Sequence, residues 1–173
     1  KIPKLPDHNI IIKNRDKDVG NWQEHWKPGQ SPGLLPHPFR LVALGNVGRG
    51  KTNSCKQIFL KAQSTKRKFK KLVVITCDAD SQEWTDCEPD LITDEMIDLS
   101  YFDENVKTCV IIDDFEWVKC SKEDQKRLST LVRFIRSHRN CSVILSFQDF
   151  FSCPVIARKC ATQFMIYKPN SRM

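Results

Sequence analysis

The chain reads Leu41-Val42-Ala43-Leu44-Gly45-Asn46-Val47-Gly48-Arg49-Gly50-Lys51-Thr52, an apolar run that passes directly into a glycine-rich loop. Gly45 and Gly50 bracket four residues, and Lys51 and Thr52 follow at once. Glycines let successive backbone N–H groups turn toward phosphate oxygens, the lysine reaches the β- and γ-phosphates, and the next hydroxyl can hold Mg²⁺. We therefore interpret residues 45–52 as a phosphate loop that binds ATP, together with Asn53.

Apolar runs and helical stretches alternate from residue 39 onward. The runs that predict strands are Leu41–Leu44, Leu72–Cys77, Thr108–Ile112, Ser142–Phe147 and Gln163–Tyr167. Helices are predicted at Thr52–Gln63 and Lys122–Ser137, with a helical turn at Pro154–Lys159 and another around Asp94–Leu99 in the acidic segment 78–105. This alternation predicts an α/β fold with a mainly parallel sheet and helices on both faces.

The first part of the chain has a different character, because prolines at positions 3, 6, 28, 32, 36 and 38 break any long helix or strand. We interpret residues 1–38 as a Pro-rich arm or lead-in and residues 39–173 as the ATPase core. Within the arm, Asn9–Ile12 could form a short strand, and Trp22 and Trp26 could anchor a turn. The arm could pack on a neighbouring subunit or, more simply, on its own domain.

Composition narrows the class of protein. The 173 residues fit one domain with a full core, and no apolar run is long enough to span a bilayer. The formal net charge of +7 favours a polyanionic partner beyond the nucleotide, although solubility alone would also account for it. The eight cysteines form no CxxC pair, so we expect free thiols and an intracellular, reducing location.

Acidic residues follow the predicted strand Thr108–Ile112. Asp113 ends this buried strand, where an unpaired charge is costly, and a link to Mg²⁺ would explain it. Asp114 could polarise the attacking water, and Glu116 competes with it for that role. These acids could instead cap the next helix. We favour Thr52 and Asp113 as the Mg²⁺ pair.

Two further kinds of side chain could complete the site. Gln148 follows the strand Ser142–Phe147 at the same sheet edge as the phosphate loop, where it could sense the γ-phosphate or simply begin a loop. An arginine from a neighbouring subunit can stabilise charge in phosphoryl transfer, and the candidates are Arg136, Arg139 and Arg158.

A basic loop precedes the second predicted strand, with Lys66-Arg67-Lys68 followed by Lys70-Lys71. Such a cluster could track a nucleic-acid backbone, or it could be a solvated turn. The sequence leaves both interpretations open.

These motifs, taken in order, resemble the genome-packaging ATPases of large DNA viruses, the poxvirus-type and virophage or polinton-like branch of the FtsK–HerA superfamily. The resemblance covers roughly residues 36–168. It is carried by Pro38-Phe39-Arg40, the phosphate loop closed by Thr52-Asn53, Ile111-Ile112-Asp113-Asp114, the stretch Ser137-His138-Arg139-Asn140-Cys141-Ser142-Val143-Ile144, Gln148-Asp149, Pro154, Arg158 and Gln163–Tyr167. The loop departs from the family at Asn46, Val47 and Arg49, where small residues are more usual.

The resemblance implies a RecA-like P-loop NTPase domain of the ASCE type that hydrolyses ATP with Mg²⁺. It implies a pentameric or hexameric ring that pumps double-stranded DNA into a preformed capsid, docks on a capsid vertex or other virion proteins, and works in the host cytoplasm or viral factory. Asp114 would be the catalytic base and Gln148 the sensor. Arg139 or Arg158 would reach the neighbour's nucleotide.

Other classes of protein share the phosphate loop. A small-molecule or nucleotide kinase would carry a lid, which the segment 78–105 could contain. A nucleotide-regulated switch or assembly protein is a further alternative, although the guanine-reading Asn-Lys-x-Asp pattern is absent after the third predicted strand. Another DNA motor of the same superfamily would have the same catalytic residues.

Overall fold

The computed structural model describes residues 35–65, 68–80 and 82–167, without the side chains of Val118, Arg136 and Ser137. Most of the predicted arm lies outside this part of the chain, including the Asn9–Ile12 strand and the Trp22–Trp26 turn. Lys66 and Arg67 of the basic loop also lie outside it.

A six-stranded sheet forms the centre of the molecule. Its strands are β1 (Arg40–Leu44), β2 (Lys71–Thr76), β3 (Leu91–Thr93), β4 (Thr108–Asp113), β5 (Cys141–Phe147) and β6 (Gln163–Ile166). The helices are α1 (Lys51–Gln63), α2 (Lys122–His138) and α3 (Val155–Cys160). The strands lie in the order β3-β2-β4-β5-β1-β6, and every neighbouring pair is parallel. The predicted α/β fold with its parallel sheet is confirmed.

Helices cover both faces of the sheet, because successive strand residues point to opposite sides. One apolar cluster joins one face of the strands to α2 and α3 through Leu128, Leu131, Val132, Ile135 and Ala157. The other cluster joins the opposite face to α1 through Cys55, Phe59 and Ala62. The central strands β2, β4 and β5 are buried almost throughout, which explains their continuous apolar sequences.

The segment 78–105 departs from the prediction. It contributes the strand β3, which the sequence did not indicate, and 3-10 turns at Gln82–Cys87 and Leu99–Tyr101. No helix forms around Asp94–Leu99. Asp98 instead starts the second turn, where its side chain accepts a hydrogen bond from the Ser100 amide at 2.9 Å, the local bonding that makes aspartate favour turns over helix interiors.

Residues 35–38 pack on the body just before β1. His37 is only 3% exposed, and its ring nitrogens lie 2.8 Å from Ser142 Oγ and 2.6 Å from Asn140 Oδ1. The ring also meets Phe69 edge-on at 5.7 Å. These contacts tie the lead-in to the start of β5.

All eight cysteines are free thiols, as predicted. Burial raises the pKa of the Cys141 thiol to about 12 and that of the Cys87 thiol to about 11, so both stay protonated at neutral pH. In the described part of the chain, no helix has the length and apolar character required to cross a bilayer.

Candidate active site

The phosphate loop connects β1 to α1 at the carboxyl edge of the sheet. The Gly45 amide donates a hydrogen bond to the carbonyl oxygen of Phe147 at the end of β5 (3.1 Å), which fixes the start of the loop. Gly48 and Gly50 have φ angles of 74° and 79°, a left-handed conformation that glycine adopts without strain. Gly50 is the N-cap of α1, so the positive end of that helix dipole lies at the loop.

The larger residues of the loop extend outward. Asn46, Val47, Arg49 and Asn53 are all exposed, and Val47 reaches 71%. The departures from small residues at positions 46, 47 and 49 therefore do not crowd the protein interior. Arg49 adds a positive charge to the same end of α1.

Thr52 and Asp113 meet across the sheet edge. The Thr52 hydroxyl donates a hydrogen bond to Asp113 Oδ2 at 2.7 Å. Asp113 is 4% exposed, and its other oxygen, Oδ1, is buried with no hydrogen-bond partner among the described residues. A buried carboxylate oxygen without a partner beside a hydroxyl fits a Mg²⁺ ion that takes its remaining ligands from phosphates and water.

The protein alone does not form a multidentate metal site in this region. Among the described residues, no group of three or more His, Cys, Asp or Glu side chains is placed to hold a metal. Mg²⁺ bound through one or two protein oxygens together with substrate phosphates needs no such group.

Lys51 lies at the centre of the candidate site. It is 4% exposed, and its Nζ is 3.7 Å from Asp114 Oδ1 and 3.5 Å from the carbonyl oxygen of Asn46. Both contacts are long, so the buried ammonium group has unused capacity to donate hydrogen bonds. Phosphate oxygens in the loop would use it.

Asp114 follows β4 in an unusual backbone conformation, with φ at 47°, which aspartate tolerates better than most residues. Its backbone carbonyl accepts a hydrogen bond from the Cys77 thiol at the end of β2 (3.2 Å). Partial burial raises the pKa of the Asp114 carboxyl, Lys51 opposes this rise, and Asp113 adds to it. A carboxyl group with a raised pKa is suited to accept a proton near neutral pH.

Glu116 has different surroundings. Its carboxylate is exposed and forms an ion pair with Lys119 Nζ at 2.6 Å. Of the two acids left open by the sequence, only Asp114 has a described contact with the phosphate loop, through Lys51.

Gln148 follows β5, which lies between β1 and β4 in the sheet. An open cleft of about 210 Å³ is lined by Asp114, Glu116, Trp117, Ser146 and Gln148, among others. Gln148 thus faces the same space as both candidate acids. Ser146 Oγ, at the base of this cleft, is buried and has no hydrogen-bond partner within the described chain.

No contact between the candidate arginines and these groups is found among the described residues. Arg139 precedes β5, and Asn140 together with the seven residues of that strand separates it from Gln148 by roughly 30 Å. Its Nη1 donates a hydrogen bond to the His138 carbonyl (2.7 Å). Arg158 lies on α3 with its guanidinium 4.3 Å from the centre of the Phe150 ring. The side chain of Arg136 is outside the described structure.

Tyr167 supports the phosphate loop, a role that the sequence motifs do not predict. Its amide donates a hydrogen bond to the Leu44 carbonyl at 2.9 Å, and its ring packs on Gly45. A Cβ on Gly45 would lie 2.7 Å from the Tyr167 Cβ, so the residue after β6 requires glycine at the first loop position. The sequence signal that could have indicated this contact is the aromatic residue at the end of the last predicted strand, Gln163–Tyr167.

Comparison with known proteins supports the fold. A scan against protein-family models and a search of curated proteins gave no match. Among solved structures, the cytoplasmic domain of EssC is similar with a TM-score of 0.61 and 12% identity, covering 89% of this chain and 36% of that one. ATPases 2 and 3 of Thermomonospora curvata EccC, in complex with a signal sequence peptide, are similar with a TM-score of 0.54 and 12% identity, covering 77% and 30%.

These likenesses extend over only part of the known structures, since this chain spans about a third of each. In the sheet of this chain, β5 lies between the strand before the phosphate loop and the strand that ends in Asp113. The chain has the α/β, RecA-like fold of P-loop NTPases.

Proposed function

We propose that this chain is a Mg²⁺-dependent ATPase that translocates double-stranded DNA, as a ring-forming subunit of the kind that packages viral genomes. The observation that carries the ATPase proposal is the joining of the phosphate loop to the acid pair. Thr52 donates to Asp113 at 2.7 Å, and Lys51 lies 3.7 Å from Asp114. Two consecutive loop residues thus meet two consecutive acids.

Each group in this arrangement has a defined task in nucleotide binding. The loop amides and Lys51 would hold the β- and γ-phosphates, and Thr52 with Asp113 would hold Mg²⁺. When bound, Mg²⁺ neutralises charge that develops on the phosphate oxygens. The unpartnered Asp113 Oδ1 supports this assignment.

Asp114 is our candidate for the catalytic base. Its raised pKa and its place on the shared cleft suit a group that takes a proton from water. Gln148 would orient the same water, because its side chain lines that cleft. Lys51 would hold the Asp114 carboxylate until the phosphates take over its hydrogen bonds.

The DNA-motor part of the proposal depends on the sequence resemblance and on the charge of the chain. A net charge of +7 suits a polyanionic partner. Arg139 and Arg158 have no described contact with the phosphate loop of their own chain, as expected of an arginine that acts on a neighbour. A capsid vertex and other virion proteins would be the docking partners, in an intracellular compartment.

The packing of residues 78–105 favours a motor over a kinase. Trp84, Cys87, Met96 and Phe102 from this segment are at most 5% exposed, and β3 pairs with β2 in the sheet. A segment anchored in both apolar clusters is poorly suited to open and close over a phosphate acceptor.

The direct test is ATP turnover per subunit, measured against protein concentration with and without long double-stranded DNA. A shared active site predicts that turnover per subunit rises with concentration and with DNA, since an arginine supplied in trans contributes several orders of magnitude in rate. Turnover that is independent of both concentration and DNA would exclude an assembling DNA motor and favour a kinase or a switch.

A further inference from the structure

The parallel sheet separates the charges of this molecule. All strands end at the edge that carries the phosphate loop, and all begin at the opposite edge, here called the amino edge. Acidic side chains end or follow β2, β4 and β5 at the first edge, namely Asp78, Asp80, Asp113, Asp114 and Asp149. Basic side chains precede or open the same strands at the amino edge.

Backbone hydrogen bonds show that these basic positions are neighbours. The Lys70 amide donates to the Lys107 carbonyl at 2.8 Å, and the Thr108 amide donates to the Asn140 carbonyl at 3.0 Å. Lys70, Lys107 and Arg139 therefore stand at the heads of three adjacent strands, β2, β4 and β5. Adjacent strands are about 4.8 Å apart, so these cations form a compact row.

The end of α2 extends the row. This helix runs back across the sheet, and Arg40 Nη1 at the start of β1 donates to the Val132 carbonyl at 3.0 Å. The neighbouring Arg133 is exposed and lies beyond β5 in the direction of β1. Arg40 itself is occupied with helix carbonyls, and we leave it out of the surface. Lys107 has further contacts, and we leave it out as well. We define the basic edge as Lys70, Lys71, Arg133 and Arg139.

An aromatic ring or a carbonyl lies beside three of the cations at the amino edge. Lys71 Nζ lies 4.1 Å from the centre of the Tyr101 ring and Lys107 Nζ lies 5.3 Å from that of Phe69. Acids near this edge include Glu88, Asp90, Asp103 and Glu104, of which Asp90 and Asp103 have described partners. The Asp90 carboxylate accepts a hydrogen bond from the Leu72 amide, and the Asp103 carboxylate accepts one from the Asn105 amide. Closely spaced like charges raise the free energy of the isolated protein, and an anionic partner would relieve that repulsion.

We infer that the basic edge binds the phosphate backbone of double-stranded DNA, on the side of the sheet opposite the nucleotide. The inference depends on the proposed function only for the choice of duplex DNA as the polyanion. The surface offers a row of cations and few hydrogen-bonding groups of defined geometry, so it would bind without sequence preference. If this inference is correct, Arg139 contacts DNA, and Arg158 remains the candidate arginine for a neighbour's nucleotide.

The test is DNA binding by the full chain, measured by fluorescence anisotropy with a labelled duplex across a salt series and without nucleotide. The variant K70Q/K71Q/R133Q removes three charges from the basic edge. The matched control K122Q/K126Q/K159Q removes three charges from exposed lysines on α2 and α3, so the net charge falls equally. Unstimulated ATP turnover is measured on both, because neither set lies near the phosphate loop.

We expect the edge variant to bind at least about tenfold more weakly, with the salt slope reduced by about 0.9 for each DNA phosphate that the variant no longer neutralises. The control should keep both the affinity and the slope within about twofold of the wild-type values. Equal losses of affinity in the two variants, or an unchanged edge variant, would overturn the inference. A wild-type chain that hydrolyses ATP and binds no duplex would overturn it too and leave the ATPase proposal standing. A chain that binds duplex through this edge without hydrolysing ATP would support the inference and overturn the ATPase proposal.

Discussion

At the scale of single residues, Asp114 and Glu116 lie only two positions apart in the chain but have different surroundings. Asp114 is partly buried beside Lys51, whereas Glu116 is exposed and paired with Lys119. The sequence placed both after the same buried strand and could not rank them, because the ranking depends on a backbone turn at Asp114 with φ at 47°. The phosphate loop, by contrast, was readable from spacing alone.

The two acids can be distinguished by substitution. Asp114→Asn should lower the rate of ATP hydrolysis by about 10²–10⁴-fold, the usual contribution of a general base. Glu116→Gln is the matched control, because it also replaces a carboxylate by an amide, and it should retain most of the activity. Single-turnover hydrolysis and the affinity for a fluorescent ATP analogue would be measured on both variants, and Asp114→Asn should still bind. The reverse pattern, with Glu116→Gln inactive, would show that our catalytic assignment is wrong.

The pH profile provides an independent test of the same residue. Burial raises the pKa of the Asp114 carboxyl, and a base is active only when deprotonated. Activity should therefore fall as the pH drops through this raised pKa, with a midpoint above the ordinary aspartate value of about 3.9. The measurement is kcat/KM against pH for the wild type and for Glu116→Gln, which should share the same acidic limb. A limb at or below the ordinary value would argue against Asp114.

At the scale of elements, the long apolar strands and the two long helices follow from the sequence to within a few residues. The strand β3 does not, because it is three residues long and half-buried, with too short a pattern to read. The short helix expected around Asp94–Leu99 was wrong, because Met96 is buried in the core and Asp98 begins a separate 3-10 turn. In both segments, tertiary contacts rather than the local sequence pattern determine the structure.

The contact between Gly45 of the phosphate loop and Tyr167 after β6 is a tertiary contact that can be tested by substitution. Gly45→Ala would place a Cβ 2.7 Å from the Tyr167 Cβ. Overpacking of this type costs about 1–3 kcal/mol, and it should weaken ATP binding because the loop must shift. The measurements are the free energy of unfolding in urea and the affinity for an ATP analogue.

A double-mutant cycle identifies the cause. Tyr167→Ala removes the ring atoms at 3.1 Å but keeps the Cβ at 2.7 Å. Tyr167→Gly removes both, so the glycine variant should recover more of the Gly45→Ala loss than the alanine variant. Gly48→Ala is the control within the loop, since an added Cβ there meets no atom within 4 Å. It should cost about 1–2 kcal/mol through its left-handed φ and show no coupling to position 167. Coupling at Gly48, or none at Gly45, would contradict this account of Tyr167.

At the scale of the whole molecule, nucleotide binding should stabilise the fold, because the phosphate loop joins β1, β5 and α1. A non-hydrolysable ATP analogue with Mg²⁺, at about 100 times its Kd, should add about 2.7 kcal/mol. For a chain of this size that corresponds to a rise in Tm of about 5–10 °C. Thermal unfolding with Mg²⁺ and with a chelator measures the metal-dependent part of this rise.

Thr52→Ala should remove most of that metal-dependent part, because it deletes the hydroxyl beside Asp113. Thr85→Ala is the matched control. The Thr85 hydroxyl donates to the Gln82 carbonyl at an exposed turn, so its loss should leave the shift unchanged. An equal metal-dependent shift in Thr52→Ala and the wild type would refute the assignment of the Mg²⁺ site.

The central claim is that the phosphate loop and the acid pair together hydrolyse ATP. The most direct measurement is steady-state phosphate release from ATP and Mg²⁺ by the wild-type chain and by Lys51→Ala, at a concentration that supports assembly and with duplex DNA present. We predict a clear rate for the wild type and a fall of at least about 10²-fold for Lys51→Ala, which lacks the buried ammonium group that holds the phosphates. Equal rates in the two proteins would contradict the claim.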